Sequence, residues 1–286
     1  MSGENLLIHS MAEFKSVTIP LLDLIQAKTV CEIGSEHGGN SHVLYDWVSE
    51  KKEERKLISI DPAPSPSFVE WMKSSDSRSF EYVPKMSIDA ISEVESPDAW
   101  FIDGDHNWYT VSNELNLICN NARKNNKPML IFLHDVSWPW AFRDLYYNPK
   151  QIPREFLQPH TWTHGVTLDN PGIIDGGFRG CGAFACAVKE GGPQNGVMTA
   201  IDDFLALHSK EFCFAHVPGV FGLGVIFDMT HPFGEAIATA LMPYHNNQLI
   251  ATLERNRLKN YLKVIALQDE CNKLRESLMK SESRSV

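Results

Sequence analysis

Four short apolar runs in this 286-residue chain each end in side chains that can move a proton or grip an ion. The first ends in Glu32, the second in Asp61, the third in Asp103, Asp105 and His106, and the fourth in His134 and Asp135. Carboxylates hold sugar hydroxyls or a divalent cation, and an ordinary imidazole titrates near neutrality and can take a proton from a hydroxyl. Buried charge is costly unless it is paired or used, so titratable groups repeated at successive strand ends argue for a site over core packing. A set of satisfied turn acids is the plainer alternative.

The stretch before the first of these ends is the most specific. Val30 to Ser41 reads VCEIGSEHGGNS: a β-branched run, Glu32, then Gly34, Gly38 and Gly39 ahead of residues that can open a helix. A strand that turns sharply into a helix through glycines lets a ligand approach bare backbone. The spacing is E-x-G-x-x-x-G-G, so the dinucleotide fingerprint G-x-G-x-x-G is not met. Arg55 to Pro64 reads RKLISIDPAP and puts Asp61 at a strand's carboxyl end, where an acid about 20 residues or more past a glycine turn can grip ribose hydroxyls. AWFIDGDHNWY, from Ala99, and MLIFLHDVSWPW, from Met129, supply the third and fourth ends.

Stepwise alternation of apolar runs and helical segments must position these groups. Glu4 to Gln26 reads as mostly helical, with Pro20 near the start of a second helix that ends before Lys28. Strands are expected at 29–33, 57–61, 80–83, 98–103 and 128–134, with helices at about 39–50, 66–74, 87–93 and 108–124. That rhythm implies an α/β fold with a doubly wound, mostly parallel sheet covered by helices on both faces. From about 137 to 194 the rhythm breaks into a region rich in Trp, Tyr, Pro and Gly, expected to be a lid or substrate wall after the fifth strand. Gly196 to His208 reads as a helix, and Cys213 to Pro218 with Leu223 to Asp228 as a β-hairpin, for seven strands in all. The domain is expected to span 1–231 and a helical tail 232–286. In the tail, positions 250, 253, 264, 267, 271, 274 and 278 share one heptad seam, interrupted by Arg257 and Asn260, which suits a coiled coil or an amphipathic helix laid on the domain.

Composition narrows the classes. With 43% hydrophobic and 22% charged residues the profile is globular, and a net charge of −10 without a basic cluster argues against nucleic acid as a partner. The six cysteines form no C-x-x-C pair, and several sit in apolar runs, so reduced thiols and a cytoplasmic location are expected. No apolar run reaches the roughly 20 residues of a membrane span, and no secretion signal is read at the amino terminus.

Taken together, CEIGSEHGGNS, ISIDPAP, FIDGDHNWYTVSNEL, FLHDVSWPWAFRDLYYNPKQIP, GGPQNGVMTAIDDF and VPGVFGLGV resemble class I S-adenosylmethionine (SAM) dependent methyltransferases over roughly residues 15 to 230. The nearest branch is the small-molecule and sugar O-methyltransferases, which includes macrolide-sugar enzymes and cephalosporin-hydroxylase-like proteins. The resemblance implies a Rossmann-like sheet closed by a terminal hairpin whose last strand is antiparallel. It implies that Glu32 and Gly34 face the methionine part of SAM, that Asp61 holds the ribose and that Ser87 lies in the adenine pocket. Ser35, Gly38, Asn40, Ser41 and Asp103 complete the implied cofactor shell. It further implies a metal-ligating Asp103 and, three residues on, His106 as base. Beside the resemblance, Asp105 is read as able to orient His106 or to serve as base itself, and His134 as a third catalytic candidate. The second acid pair of that branch is here His134-Asp135, so a Mg²⁺ or Mn²⁺ ion on Asp103 and Asp135 would have a thinner oxygen shell. The expected reaction is O-methylation of a hydroxyl on a small molecule, sugar or glycan, in a chain that could form a homo-oligomer through its last helix. A metal-dependent hydroxylase or hydrolase on the same fold, and a non-catalytic SAM-binding assembly module, are the alternatives.

Overall fold

The computed structural model describes residues 7–51 and 54–282. Five strands alternate with helices as the pattern requires: β1 (Thr29–Ile33), β2 (Lys56–Ile60), β3 (Phe80–Val83), β4 (Ala99–Ile102) and β5 (Leu130–His134). Helices α1 (Lys15–Leu24), α2 (Gly39–Ser49), α3 (Pro66–Met72), α4 (Ser87–Ala90) and α5 (Trp108–Lys124) precede or separate them. An insertion then carries five short strands, β6 (Leu145–Tyr146), β7 (His160–Thr161), β8 (Gly165–Thr167), β9 (Asn170–Ile174) and β10 (Ala185–Ala187). After it come α6 (Val197–Leu207), the hairpin β11 (Phe212–Val217) and β12 (Leu223–Asp228), then α7 (Gly234–Leu241) and α8 (Gln248–Glu282).

The main sheet runs β11-β12-β5-β4-β1-β2-β3. Strands β1 to β5 are mutually parallel, and β12 lies antiparallel between β5 and β11. The chain therefore reverses its direction of growth between β1 and β4, and open α/β sheets bind ligands at such a switch point, outside the carboxyl ends of the strands.

Strand parity explains which side chain faces which layer. Cys31, Ile33, Trp100, Ile102, Ile131 and Leu133 pack on one face, against Val111, Leu115 and Ile118 of α5 and Ala200, Ile201 and Phe204 of α6. Val30, Ala99, Phe101, Leu130 and Phe132 pack on the other, against Leu21 and Leu22 of α1, Leu44 and Trp47 of α2 and Ile237 of α7. Glu32 and His134 share the parity of the second set, so both start from the α1/α2 side of the sheet.

Local chemistry starts the helices where the site needs them. Asn107 caps α5 by accepting the Thr110 N–H at 2.9 Å, and Arg123 and Lys124 stand in the last turn, favourable to the helix dipole. Ser65 caps α3, with Pro66 at the first helical position.

Some expectations change. Pro20 lies inside α1 and does not start a new helix; it and Ser16, whose carbonyl it leaves without a helical donor, are both exposed. The stretch 7–10 is not helical, and Glu4 to Leu6 lie outside the described residues. Helix α4 stops at Ala90. The insertion is not plain loop: β6, β10 and β7 form one small antiparallel sheet, and β8 and β9 a hairpin. The helical stretch after Pro232 is broken between α7 and α8, where Pro243 cannot continue the ladder and the Asn247 side chain accepts from Leu249 and Ile250 to open α8. Ile237 and Leu241 of α7 belong to the main core. On α8 the face carrying Ile250, Glu254, Leu258, Tyr261 and Asp269 meets the domain, and the Leu253, Leu267, Leu274 and Leu278 side chains are 61%, 48%, 58% and 63% exposed. No helix among the described residues is long and apolar enough to cross a membrane.

Candidate functional site at the carboxyl rim of the sheet

The glycine turn is locked on two sides. Gly34 has φ +84°, and a Cβ there would lie 2.4 Å from the Asp103 carbonyl oxygen and 2.5 Å from Gly104 Cα. Its first job is thus to let the β1 and β4 turns touch at the switch point. Asp61 holds the same turn from the β2 side: its Oδ2 accepts from the Ser35 N–H at 2.8 Å, the Ser35 hydroxyl at 3.0 Å and the Glu36 N–H at 2.9 Å. Among the described residues Asp61 Oδ1 accepts only from the Ala63 N–H at 2.8 Å, which leaves that oxygen capacity for a hydroxyl.

Glu32 is buried, and its carboxylate accepts from Asn40 Nδ2 at 2.9 Å and from the Ser41 hydroxyl. Parity aims it at the first turn of α2, so three expected cofactor residues bond one another. Burial pushes Glu32 up to about 8; Ser41 and Asn40 counter that rise, while Asp103 and Asp61 add to it. Glu32 therefore senses the carboxyls at the β2 and β4 ends across one rim. Gly38, φ +81°, begins α2 directly over Phe68, 2.3 Å from where its Cβ would be. Ser87 is buried at the start of α4, beyond the β3 end.

At the β4 and β5 ends, two imidazoles and two carboxylates form a quartet. His134 is buried, with Nε2–H donating to the Val220 carbonyl at 2.9 Å and Nδ1–H facing Asp103 Oδ1 at 3.0 Å and Asp135 Oδ2 at 3.3 Å. A carbonyl and a carboxylate both require a proton from the ring, so His134 is an imidazolium. Burial opposes that charge, but Asp103 and Asp135 outweigh it and hold the pKa well above the usual value. His134 is therefore held as a cation between the two carboxylates. His106 Nδ1 lies 2.8 Å from Asp135 Oδ2, and Nε2 lies 3.7 Å from Asp103 Oδ1. Burial lowers its pKa, Asp135 and Asp103 raise it further, and the balance is about 9. The expected near-neutral imidazole is thus protonated in the resting site, because both its neighbours are anions. Asp135 moves the other way: burial opposes its charge, but His106 and His134 hold the carboxyl well below its ordinary value. Asp105 accepts from the Thr110 hydroxyl at 3.3 Å and stands toward α5, so the imidazole is oriented by Asp135 instead.

Backbone strain marks the same place. Asp135 has φ +60°, and Val220 and Phe221, whose turn supplies the carbonyl for His134, have φ +47° and +63°. A β-branched residue in that region is costly and persists only where surroundings impose it. Here Ser137 N–H donates to the Phe221 carbonyl at 2.7 Å, and Glu254 of α8 accepts the Phe221 N–H at 3.1 Å. Helix α8 therefore buttresses the turn that holds His134.

The insertion is tied to the site by residues the sequence reading did not single out. Asp144, buried, accepts from Trp108 N–H at 2.7 Å, Gly196 N–H at 2.6 Å and the Tyr146 hydroxyl at 2.7 Å, and burial pushes it up to about 6. Arg143, also buried, donates to the carbonyls of Ala187 at 2.5 Å and Pro171 at 2.6 Å. The available signal was a charged pair, Arg143-Asp144, inside an aromatic run. Leu145 N–H donates to the His106 carbonyl at 3.0 Å, and half-exposed Tyr147 stands edge-on to His106 at 6.3 Å and to Phe184 at 6.5 Å. An aromatic wall thus flanks the imidazole.

One ligand atom each from Asp103, His106 and Asp135 falls within 4.8 Å of the others. Despite their closeness, neither His106 nitrogen nor Asp135 Oδ1 has an aligned hydrogen-bond partner among the described residues. Two carboxylates and an imidazole this close together fit a divalent cation once His106 has given up its proton.

No protein-family model and no curated protein matches the chain. Among solved structures, it is similar to a Staphylococcus aureus protein assigned as a caffeoyl-CoA O-methyltransferase, at 9% identity and TM-score 0.44, covering 76% of this chain and 83% of that one. It is similar to an SAH-bound methyltransferase from Podospora anserina at 14% identity and TM-score 0.41, covering 75% and 84%. A cofactor-bound protein from MTB matches at 14% identity and TM-score 0.43, covering 77% and 80%. With superpositions this loose, any functional assignment rests on the chain's own residues.

Proposed function

We propose that this chain is a SAM-dependent methyltransferase that methylates a hydroxyl of a small molecule, sugar or glycan. The observation that carries the reading is the convergence, at one sheet's switch point, of a glycine turn, Glu32, Asp61 and the Asp103–His106–His134–Asp135 quartet. The β11–β12 hairpin on the β5 side, with β12 antiparallel, is the closure expected of that family. SAM supplies a methyl group on a positively charged sulfur, and the acceptor oxygen gives up its proton as the methyl arrives. The protein's part is to align the two, exclude water and hold the released proton.

Asp61 Oδ1 is the group free to hold ribose hydroxyls, and Gly34 to Ser41 line the turn where the rest of the donor fits. Glu32 acts through Asn40 and Ser41, keeping the first turn of α2 in place. His106 is the proton acceptor at the acceptor oxygen in its neutral form, which the neighbouring carboxylates make the minor form below about pH 9, and Asp135 lies beside its ring. A divalent cation, if required, is held by Asp103 and Asp135, where it would lower the pKa of the acceptor hydroxyl. Tyr147 and Phe184 form the wall past which the acceptor enters.

Calorimetry with SAM and with its demethylated product tests the donor site: both are expected to bind, and Asp61→Ala to weaken them at least about tenfold through the lost ribose bonds. His106→Ala is expected to keep donor affinity within about twofold while turnover on a panel of phenols and sugars falls about 100-fold or more. No heat with either ligand overturns the proposal.

A further inference from the structure

The carboxy-terminal half of α8 carries an apolar stripe that its own domain does not cover. We propose that Val264, Leu267, Cys271, Leu274 and Leu278 form the seam of a parallel two-stranded coiled coil with a second copy of this chain. The inference is independent of the reaction proposed above.

The stripe steps by three, four, three and four residues, the a/d alternation of a heptad repeat. Val264, Cys271 and Leu278 fall at a, and Leu267 and Leu274 at d. Leucine at both d positions and β-branched Val264 at the first a position suit two parallel strands. The leucines are about half to two-thirds exposed, and Cys271 is exposed. The stripe is not the docked face turned outward by chance. At about 100° per residue, the docked set Ile250, Glu254, Leu258, Tyr261 and Asp269 centres roughly 120° around the helix from the seam. A second helix can therefore lie on the seam while α8 keeps its grip on the domain.

Charge selects the partner and its direction. Glu270 takes position g and Arg275 position e of the next heptad, five residues apart. In a parallel pair these positions meet across the seam, so twofold symmetry yields two Glu270–Arg275 pairs, one on each flank. In an antiparallel pair g faces g and e faces e, and the match is lost. Among the described residues neither side chain is engaged within the chain. The seam also has a defined upper end: Arg257 and Asn260 occupy the preceding a and d positions, and Arg257 is committed to Glu254 and the Ile8 carbonyl. At its start the coil passes the insertion, since Asp269 grips Arg179 with both oxygens, at 2.6 and 3.0 Å.

Sedimentation of the full chain over about a hundredfold concentration range tests this, because a coil of under three heptads makes a weak, concentration-dependent dimer. The mass is expected to climb from one 32.3 kDa chain toward two. Leu267→Glu with Leu274→Glu is expected to remain monomeric with unchanged circular dichroism of the domain and unchanged melting. Glu270→Arg alone is expected to weaken the dimer several-fold, and adding Arg275→Glu to restore it. In a Cys181→Ser background, a short bis-maleimide is expected to join two chains, and Cys271→Ser to abolish the product. A monomer at every concentration, or a dimer that survives the two leucine substitutions, overturns the proposal. Failure of the double charge swap to restore association overturns the parallel register.

Discussion

Glu114 offers the sharpest test of the electrostatics. It sits in α5 beneath the site, fully buried, and among the described residues neither carboxyl oxygen has an aligned hydrogen-bond partner. Burial pushes it from an ordinary 4.5 up to about 8; nearby Ser87 eases the rise and Asp105 adds to it. The folded state thus keeps a proton that the unfolded chain releases anywhere between those values. Stability then falls as pH rises through the window, by up to about 1.4 kcal/mol per pH unit. Glu114→Gln cannot ionise, so its stability relative to wild type should rise by on the order of 3 kcal/mol between about pH 5 and pH 7.5. Glu32 drifts in the same direction in both proteins and cancels from the difference. Urea unfolding of the two proteins at both pH values measures the quantity. A stability difference that does not change with pH would mean that the Glu114 carboxyl is solvated or paired, and would refute the reasoning.

Other outcomes follow from single contacts. Gly34→Ala puts a Cβ against the Asp103 carbonyl at φ +84° and should cost about 2 kcal/mol or more in urea unfolding, while weakening binding of the demethylated donor. Glu254→Ala leaves the Phe221 N–H unpaired and should cost about 1–3 kcal/mol. Because the same turn carries the Val220 carbonyl, faster exchange of the His134 Nε2 proton should accompany it, read by NMR. Arg255→Ala removes only an exposed ion pair with Asp169 and should shift stability by less than about 1 kcal/mol.

Much of the frame was legible because its signals are local. Strands at 29–33 and 80–83 were placed to the residue, since apolar runs there stop at glycine, aspartate or proline. Helix 108–124 was also placed to the residue, and the structure adds the Asn107 cap that starts it. The insertion was not legible. Its strands are two to five residues long, too short for a pattern, and Asp144 does its work by joining Trp108 to Gly196, 52 residues from Asp144 itself. On α8, heptad spacing located an apolar stripe but could not tell that a neighbouring face would dock, because that choice depends on Gly219, Phe221 and Arg179 coming together in space.

The sequence by itself determined the order of the strands and helices of the main sheet, and that Glu32, Asp61, Asp103, His106, His134 and Asp135 stand at strand ends. Hydrophobic period and turn residues act over a few positions, and a strand's end follows from them directly. Only the tertiary structure decided what each group is engaged with. It turned Glu32 onto α2, spent one Asp61 oxygen on the glycine turn, and placed His134 between two carboxylates and a carbonyl so that it stays charged. Protonation state and free valence depend on burial and on partners remote in the chain, and those exist only once the sheet has assembled.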